Sequence, residues 1–316
     1  MKERSSLVSV VIPSYNQKEY LEEAIESVLS QDYSNIELVI ADDFSTDGTD
    51  IMMKKYILNT NIKYFRNKVN LGANRNVCQS FYSYVRGEFV LYLNHDDYFI
   101  DPHYISRAVK FLVENPKVSV VFANYRRLIQ ETGEVKDIIE PTKNIITPGK
   151  DYFYNYQLSH NGYPGILSLT ALFRRDCAIK TKCFQEKTAI NDFIVFMKLM
   201  LAGDVGHFDS IVSVYRVHKK SITFNSTLDD DMDTIKEIEE LYKLALDYGF
   251  TRVQLDKWLE ARIIIHFVYW RFPALLKGND TETIKRILLF LKNEYPSICV
   301  MMFKILDEQG ILKKIL

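Results

Sequence analysis

Three short apolar runs in the first hundred residues each stop at a polar cluster, and no other feature of the chain limits its fold as much. Val8-Ser-Val-Val-Ile12 ends at Pro13-Ser-Tyr-Asn16, Ile36-Glu-Leu-Val-Ile-Ala41 ends at Asp42-Asp43, and Phe89-Val-Leu-Tyr-Leu93 ends at Asn94-His-Asp-Asp97. Runs of this length read as buried strands. The first is followed by helical spacing: Leu21, Ala24, Ile25, Val28 and Leu29 repeat along one face of residues 17–30. A further strand is expected at 62–65, helices at 74–85 and 101–113, and a strand at 118–123. A helix with Thr46 or Asp47 as its cap is expected to reach about residue 58. Strands joined by helices predict an α/β fold, a mostly parallel sheet with helices on both faces. Ligands bind such sheets beyond the carboxyl ends of the strands, so the three clusters should face one crevice.

Asp96 and Asp97 add chemistry to that geometry. Paired carboxylates after a buried strand are unfavourable unless positive charge sits between them. A divalent cation is the usual partner, and a bound phosphate is the usual reason to hold one.

Other parts of the chain narrow the choice. Residues 127–167 are richer in Gly, Pro, Asn and Tyr and read as hairpins and loops. After residue 221 the pattern turns helical, with helices expected at 234–248, 253–272, 282–293 and 298–307. A boundary near 224/225 separates this helical appendage from the α/β part. Part of the 255–272 stretch is apolar on nearly every side, which implies burial: against the rest of the chain, in a homodimer, or at a membrane surface. The formal net charge of −1 provides no field that would draw nucleic acid. Cys78, Cys177, Cys183 and Cys299 form no C-x-x-C pair and read as reduced thiols. The polar start, leading straight into a strand, does not read as a signal peptide, and no apolar run is long enough to span a bilayer. No G-x-G-x-x-G follows the first strand and no P-loop motif is present, which argues against dehydrogenase and P-loop chemistry.

The segments Val8-Ser-Val-Val-Ile-Pro-Ser-Tyr-Asn16, Ser27-Val-Leu-Ser-Gln31, Glu37-Leu-Val-Ile-Ala-Asp-Asp-Phe-Ser-Thr-Asp-Gly48, Asn70-Leu-Gly-Ala-Asn-Arg-Asn76 and the run from Gly87 to Asp97 resemble, in order, the family 2 glycosyltransferases of GT-A fold. The resemblance covers residues 7–221 and not the helical tail. It implies an inverting enzyme that moves a sugar from a nucleotide-sugar, most often a UDP-sugar, with Mn2+ or Mg2+. The acceptor would be a glycan or a lipid-linked glycan of a bacterial surface polysaccharide such as capsule or lipopolysaccharide. The enzyme would work in the cytoplasm, at or near the inner face of the membrane.

Mapped residue by residue, the resemblance puts Pro13 and Tyr15 against the uracil, although a plain strand-to-helix turn reads the same way. Asp43 would accept the uracil N3–H, with helix capping as the alternative for one of the Asp42-Asp43 pair. Arg75 would lie near the nucleotide or its phosphates, or else form a surface ion pair. Asn94-His-Asp-Asp97 takes the place of the family's Asp-x-Asp motif, with Asn for the first Asp. Asp96 and Asp97 would serve the ribose and the metal, and His218 would complete the ligand set. Arg216, or Lys219 and Lys220, could hold the diphosphate. Asp192 matches the catalytic base, with Asn191 in place of the family's Glu; the competing role for Asp192 is a helix cap. Asn94 and Asn191 each replace a carboxylate common in the family, so a nucleotide-sugar-binding protein without catalysis is the alternative reading.

Overall fold

The computed structural model describes residues 5–139, 141–142, 144–158, 162–185, 192–219 and 227–315. The chain divides into two compact units, residues 1–221 and 222–316. The boundary expected at 224/225 lies outside the described residues, as do Asn191, Lys220 and Ser221.

In the first unit, β1 (Val8–Ser14), β2 (Ile36–Asp42), β3 (Ile62–Arg66) and β4 (Phe89–Tyr92) lie parallel in the order β3-β2-β1-β4. Val10, Val11, Ile12, Val39, Ile40, Val90 and Leu91 are fully buried. Helices cover both faces of such strands, which is why they read as unbroken apolar runs. Each buried Val, Ile or Leu contributes about 1.5–3 kcal/mol. The register pairs Ser14 with Asp42 and Val11 with Tyr92, so the polar residues that follow each strand emerge at one edge.

Helix α1 (Lys18–Leu29) buries Leu21, Ala24, Ile25 and Val28, the stripe its spacing predicts. Helix α2 (Thr49–Met53) is shorter than expected: a 3-10 turn follows at Lys54–Tyr56. Tyr56 drops into the core, while Ile57 and Leu58 are 79% and 92% exposed, so no apolar face rewards a longer helix. Helix α3 (Ala73–Gln79) continues into a π-helical turn, Ser80–Tyr84.

The rest of the sheet is β5 (Tyr98–Phe99), β6 (Val118–Ile129), β7 (Glu134–Ile138), β8 (Ile146–Thr147), β9 (Leu172–Arg174) and β10 (Asp204–Val217). It extends the order as β4-β9-β6-β10-β5. Among the described residues, parallel ladders carry most of the paired length; the antiparallel pairings are two-residue contacts and the β6–β7 hairpin. Helices α4 (Tyr104–Glu114), α5 (Gly149–Asn155), α6 (Arg175–Lys180) and α7 (Asp192–Ala202) complete the unit. Helix α5 interrupts a region that reads as hairpins and loops. Its seven residues are too few for a helical period to show, and burial of Tyr152 and Phe153 holds it in place.

The second unit is helical: α8 (Leu228–Asp247), α9 (Arg252–Ile264), α10 (Phe272–Lys277), α11 (Thr281–Glu294) and α12 (Pro296–Glu308). Capping boxes start two of them, Thr227 with Asp230 for α8 and Thr251 with Gln254 for α9. The single helix expected at 253–272 is α9 joined to α10 through a π-helical stretch, Ile265–Arg271. Ile263, Phe267, Val268 and Phe272 enter the core with Ile284, Ile287 and Leu291. Tyr269 and Trp270, in the stretch expected to pack on the rest of the chain, a second copy or a membrane, are 56% and 63% exposed. Among the described residues, no helix is long and apolar enough to cross a membrane.

Candidate active site

The adjacent carboxylates at the end of β2 have different surroundings. Asp42 is fully buried; its carboxylate accepts hydrogen bonds from the Tyr64 hydroxyl (2.5 Å) and the Ser45 N–H (2.9 Å), and Arg66 Nε lies 3.5 Å away. Asp42 therefore anchors its own turn. Asp43 reaches across to the segment before α3. Its Oδ1 accepts from Leu71 N–H (2.8 Å) and Asn67 Nδ2 (2.9 Å), and its Oδ2 from Gly72 N–H (2.8 Å). Gly72, with φ of +83°, lets the chain turn there. Arg75 follows on the first turn of α3, exposed. Asp47 serves as a cap: its Oδ1 accepts from Thr49 N–H (3.1 Å) and its Oδ2 from Lys18 N–H (2.8 Å) at the start of α1.

At the end of β1, Tyr15 is 45% exposed. The Pro13 carbonyl lies 2.9 Å from His95 Nδ1. Since that carbonyl can only accept, Nδ1 carries the proton. His95, which the sequence left without a role, thus ties the β1 turn to the Asn94–Asp97 turn. β1 and β4 are neighbours, and only that adjacency reveals the contact.

Within the Asn94–Asp97 turn the side chains part company. Asp97 is 1% exposed and faces inward; its Oδ1 accepts from Arg216 N–H (2.9 Å) and its Oδ2 from Asn94 Nδ2 (3.3 Å). Burial pushes the Asp97 pKa well above the usual carboxylate range, and the Asp96 and Asp192 charges push the same way. Asp96 turns the other way, with its Oδ2 3.0 Å from His218 Nε2. Of Asp96, Asp97 and His218, the structure brings only Asp96 and His218 into direct contact. Among the described residues, no group of three or more His, Cys, Asp or Glu side chains is arranged to hold a metal ion. An oxygen and an imidazole nitrogen side by side fit a divalent ion whose other ligands come from a diphosphate and water.

Arg216 is engaged with protein acceptors. Its side chain is 7% exposed, and it donates to the Asp96 carbonyl (Nε, 2.9 Å), Gln130 Oε1 (Nη1, 2.7 Å) and the Glu23 carboxylate (Nη2). Lys219 is exposed.

Asp192 opens α7. Its Oδ2 accepts from the Ser168 N–H at 2.9 Å, and burial of its carboxyl raises its pKa from 3.8 to about 6. Phe193 stacks on Tyr156, with ring centroids 5.9 Å apart, which steadies this end of the helix. The Asp192 charge is felt at Asp97, so the start of α7 and the end of β4 border the same region.

Residues 9–180 match the family described as "Glycosyl transferase family 2". An uncharacterized glycosyltransferase of Rickettsia typhi is 35% identical over 297 residues, 91% of this chain and 80% of that protein. The chain belongs to the family 2 glycosyl transferases. The fold is that of TarS 1-349 from S. aureus in complex with UDP-GlcNAc: 20% identity, TM-score 0.70, 92% of this chain and 82% of that one. It is also that of the mannosyltransferase PcManGT from Pyrobaculum calidifontis in complex with GDP-Man and Mn2+: 16% identity, TM-score 0.57, 99% and 86%. Other curated relatives, 27% identical, are longer, and the match spans 62% of their length.

Proposed function

We propose that this chain transfers a sugar from a nucleotide-sugar, a UDP-sugar foremost, to a hydroxyl of a glycan or lipid-linked glycan, with inversion at the anomeric carbon. One observation carries the reading: a carboxyl with its pKa raised to about 6, at Asp192, borders the same region as the Asp96–His218 pair. A base needs a pKa near working pH, and the raised pKa of Asp192 meets that condition.

Asp192 takes the proton of the acceptor hydroxyl as that oxygen attacks the anomeric carbon. The bond from that carbon to the β-phosphate oxygen breaks, and the nucleoside diphosphate leaves with the electron pair. The Ser168 N–H holds the Asp192 carboxylate in place through the transfer. Asp43 fixes the loop that carries Gly72 and retains one lone pair, on Oδ2, for the nucleobase, against which the half-exposed Tyr15 and the Pro13 turn would lie. Arg75 is exposed where it can approach the phosphates. Asp96 and His218 would hold Mn2+ or Mg2+, which neutralises charge on the leaving diphosphate. Asp97, buried and held by the Arg216 N–H and Asn94, stands next to Asp96 in the same turn.

The UDP-GlcNAc complex of TarS and the GDP-Man complex of the mannosyltransferase, both of this fold, support a nucleotide-sugar donor. Exposed Tyr269 and Trp270 leave the second unit an aromatic surface for a membrane or a second copy.

A panel of UDP-, GDP- and dTDP-sugars, scored by thermal shift with Mn2+ or Mg2+ and by donor hydrolysis, tests the assignment. Stabilisation by one nucleotide class with slow hydrolysis is expected; no shift with any donor overturns it. The alternative, binding without transfer, draws on Asn94 and would show as stabilisation with no turnover on any acceptor.

A further inference from the structure

Three segments distant in sequence converge on the side chain of Arg216. Helix α1 supplies Glu23, whose carboxylate accepts from Nη2, and Tyr20, whose ring lies 4.7 Å from the guanidinium carbon. The start of β5 supplies Tyr98, 5.2 Å away on a second ring. The residue after β6, Gln130, accepts from Nη1, and the β4–β5 turn supplies the Asp96 carbonyl to Nε. The backbone N–H of Arg216 meanwhile holds Asp97. Two residues on, His218 packs its ring 5.2 Å from that of Tyr20, at 34°. Tyr20 therefore touches both the clasp and the imidazole.

We propose that Arg216 is a positioning residue: it clasps the end of β10 to the Asp96–Asp97 turn and to α1, and so holds His218 and Asp96 in register for the donor. The proposal rests on the donor-site reading of Asp96 and His218 given above. Every guanidinium nitrogen donates to a protein acceptor, which fixes the plane of the group. A planar fork that satisfies acceptors on three segments at once is a task lysine cannot perform, because an ammonium is a point charge without fixed directions. A side chain only 7% exposed, with its charge buried, would be unfavourable there without those acceptors. Helix α1 begins just after the Pro13–Asn16 turn, so that turn joins the strand end beside Tyr15 to the residue that packs on His218.

The test uses the full chain labelled with 15N-histidine, which has six histidines. The His218 ring signals are assigned with His218→Gln. In the wild-type protein they should form one set, with Nε2 shifted by its contact with Asp96. Arg216→Lys, which keeps the charge, and Glu23→Gln, at a half-exposed carboxylate, should broaden or move that set while the melting temperature stays within a few degrees. Transfer kcat/KM should fall on the order of 10- to 100-fold, as expected for a misplaced ligand-binding group. Unmoved His218 signals in both variants overturn the proposal, as does kcat/KM unchanged per folded molecule. If Arg216→Lys does not fold, Glu23→Gln carries the test alone. Wild-type protein that binds no donor overturns the functional reading instead, and the donor-free ring signals still decide the clasp.

Discussion

His218 Nε2 lies 3.0 Å from Asp96 Oδ2, although 122 residues of chain separate them. The contact follows from strand register. β10 pairs antiparallel with β5, Val214 opposite Tyr98, so two residues further on Arg216 falls beside Asp96 and the strand then delivers His218 to the turn. The carboxyl of Asp192, the Asn94–Asp97 contact and the Asp43 hydrogen bonds lead to four predictions.

Asp192→Asn should reduce transfer by about 10²–10⁴-fold, the usual contribution of a general base. UDP affinity should be nearly unchanged, because the amide oxygen can still accept from Ser168 N–H. Initial rates and UDP titrations on the same preparation check this, and normal turnover would remove Asp192 from the role.

The raised pKa of Asp192 has two pH consequences of opposite use. Activity needs the carboxylate, so kcat/KM should fall as pH drops through about 6. Stability runs the other way: between 3.8 and about 6 the folded state holds a proton that the unfolded chain has lost, so this group's contribution declines as pH rises across that window. Asp192→Asn should flatten that decline and raise the melting temperature at neutral pH. A fall in melting temperature at pH 7 would contradict it.

Asn94→Asp should make the protein more dependent on metal. Asn94 now donates to Asp97 at 3.3 Å, and an aspartate there would face a second buried carboxylate. Metal-free protein should lose about 1–3 kcal/mol, the scale of replacing a buried hydrogen bond with an unpaired acceptor. Mn2+ should restore more of the melting temperature in the variant than it adds to the wild type. Equal Mn2+ responses would show that residue 94 has no influence on the cation.

Asp43→Asn should weaken nucleotide binding and loosen the approach to α3. Its carboxylate accepts two backbone N–H groups, from Leu71 and Gly72, through different oxygens. An amide offers only one oxygen, so one of the two N–H groups faces an NH2; the loss should be about 1–3 kcal/mol. UDP titration and hydrogen exchange at residues 67–73 should change together. Unchanged exchange there would show that Asp43 does not hold the loop.

Much of this was legible in the chain. Apolar runs that stop at Pro13, Asp42 and Asn94 define buried strands, because burial on both faces demands continuous apolar side chains. Leu21, Ala24, Ile25 and Val28 define the inward face of α1 in the same local way. The motif order placed the family, and the family match over residues 9–180 agrees with it. Shorter and subtler elements were not legible. The seven residues of α5 have no readable period, and the π-helical stretch that turns Tyr269 and Trp270 outward alters a helical register without altering composition.

The sequence by itself determined the longer strands and helices and which residues gather at the strand ends, since both follow from burial and periodicity within a few residues. Only the tertiary structure decided what each gathered residue faces. Asp96 meets His218 while its neighbour Asp97 turns inward, Arg216 donates to Asp96, Gln130 and Glu23, His95 ties Pro13, and Ser168 holds Asp192. Those orientations depend on register between elements dozens to more than a hundred residues apart, and no local pattern of side chains records it.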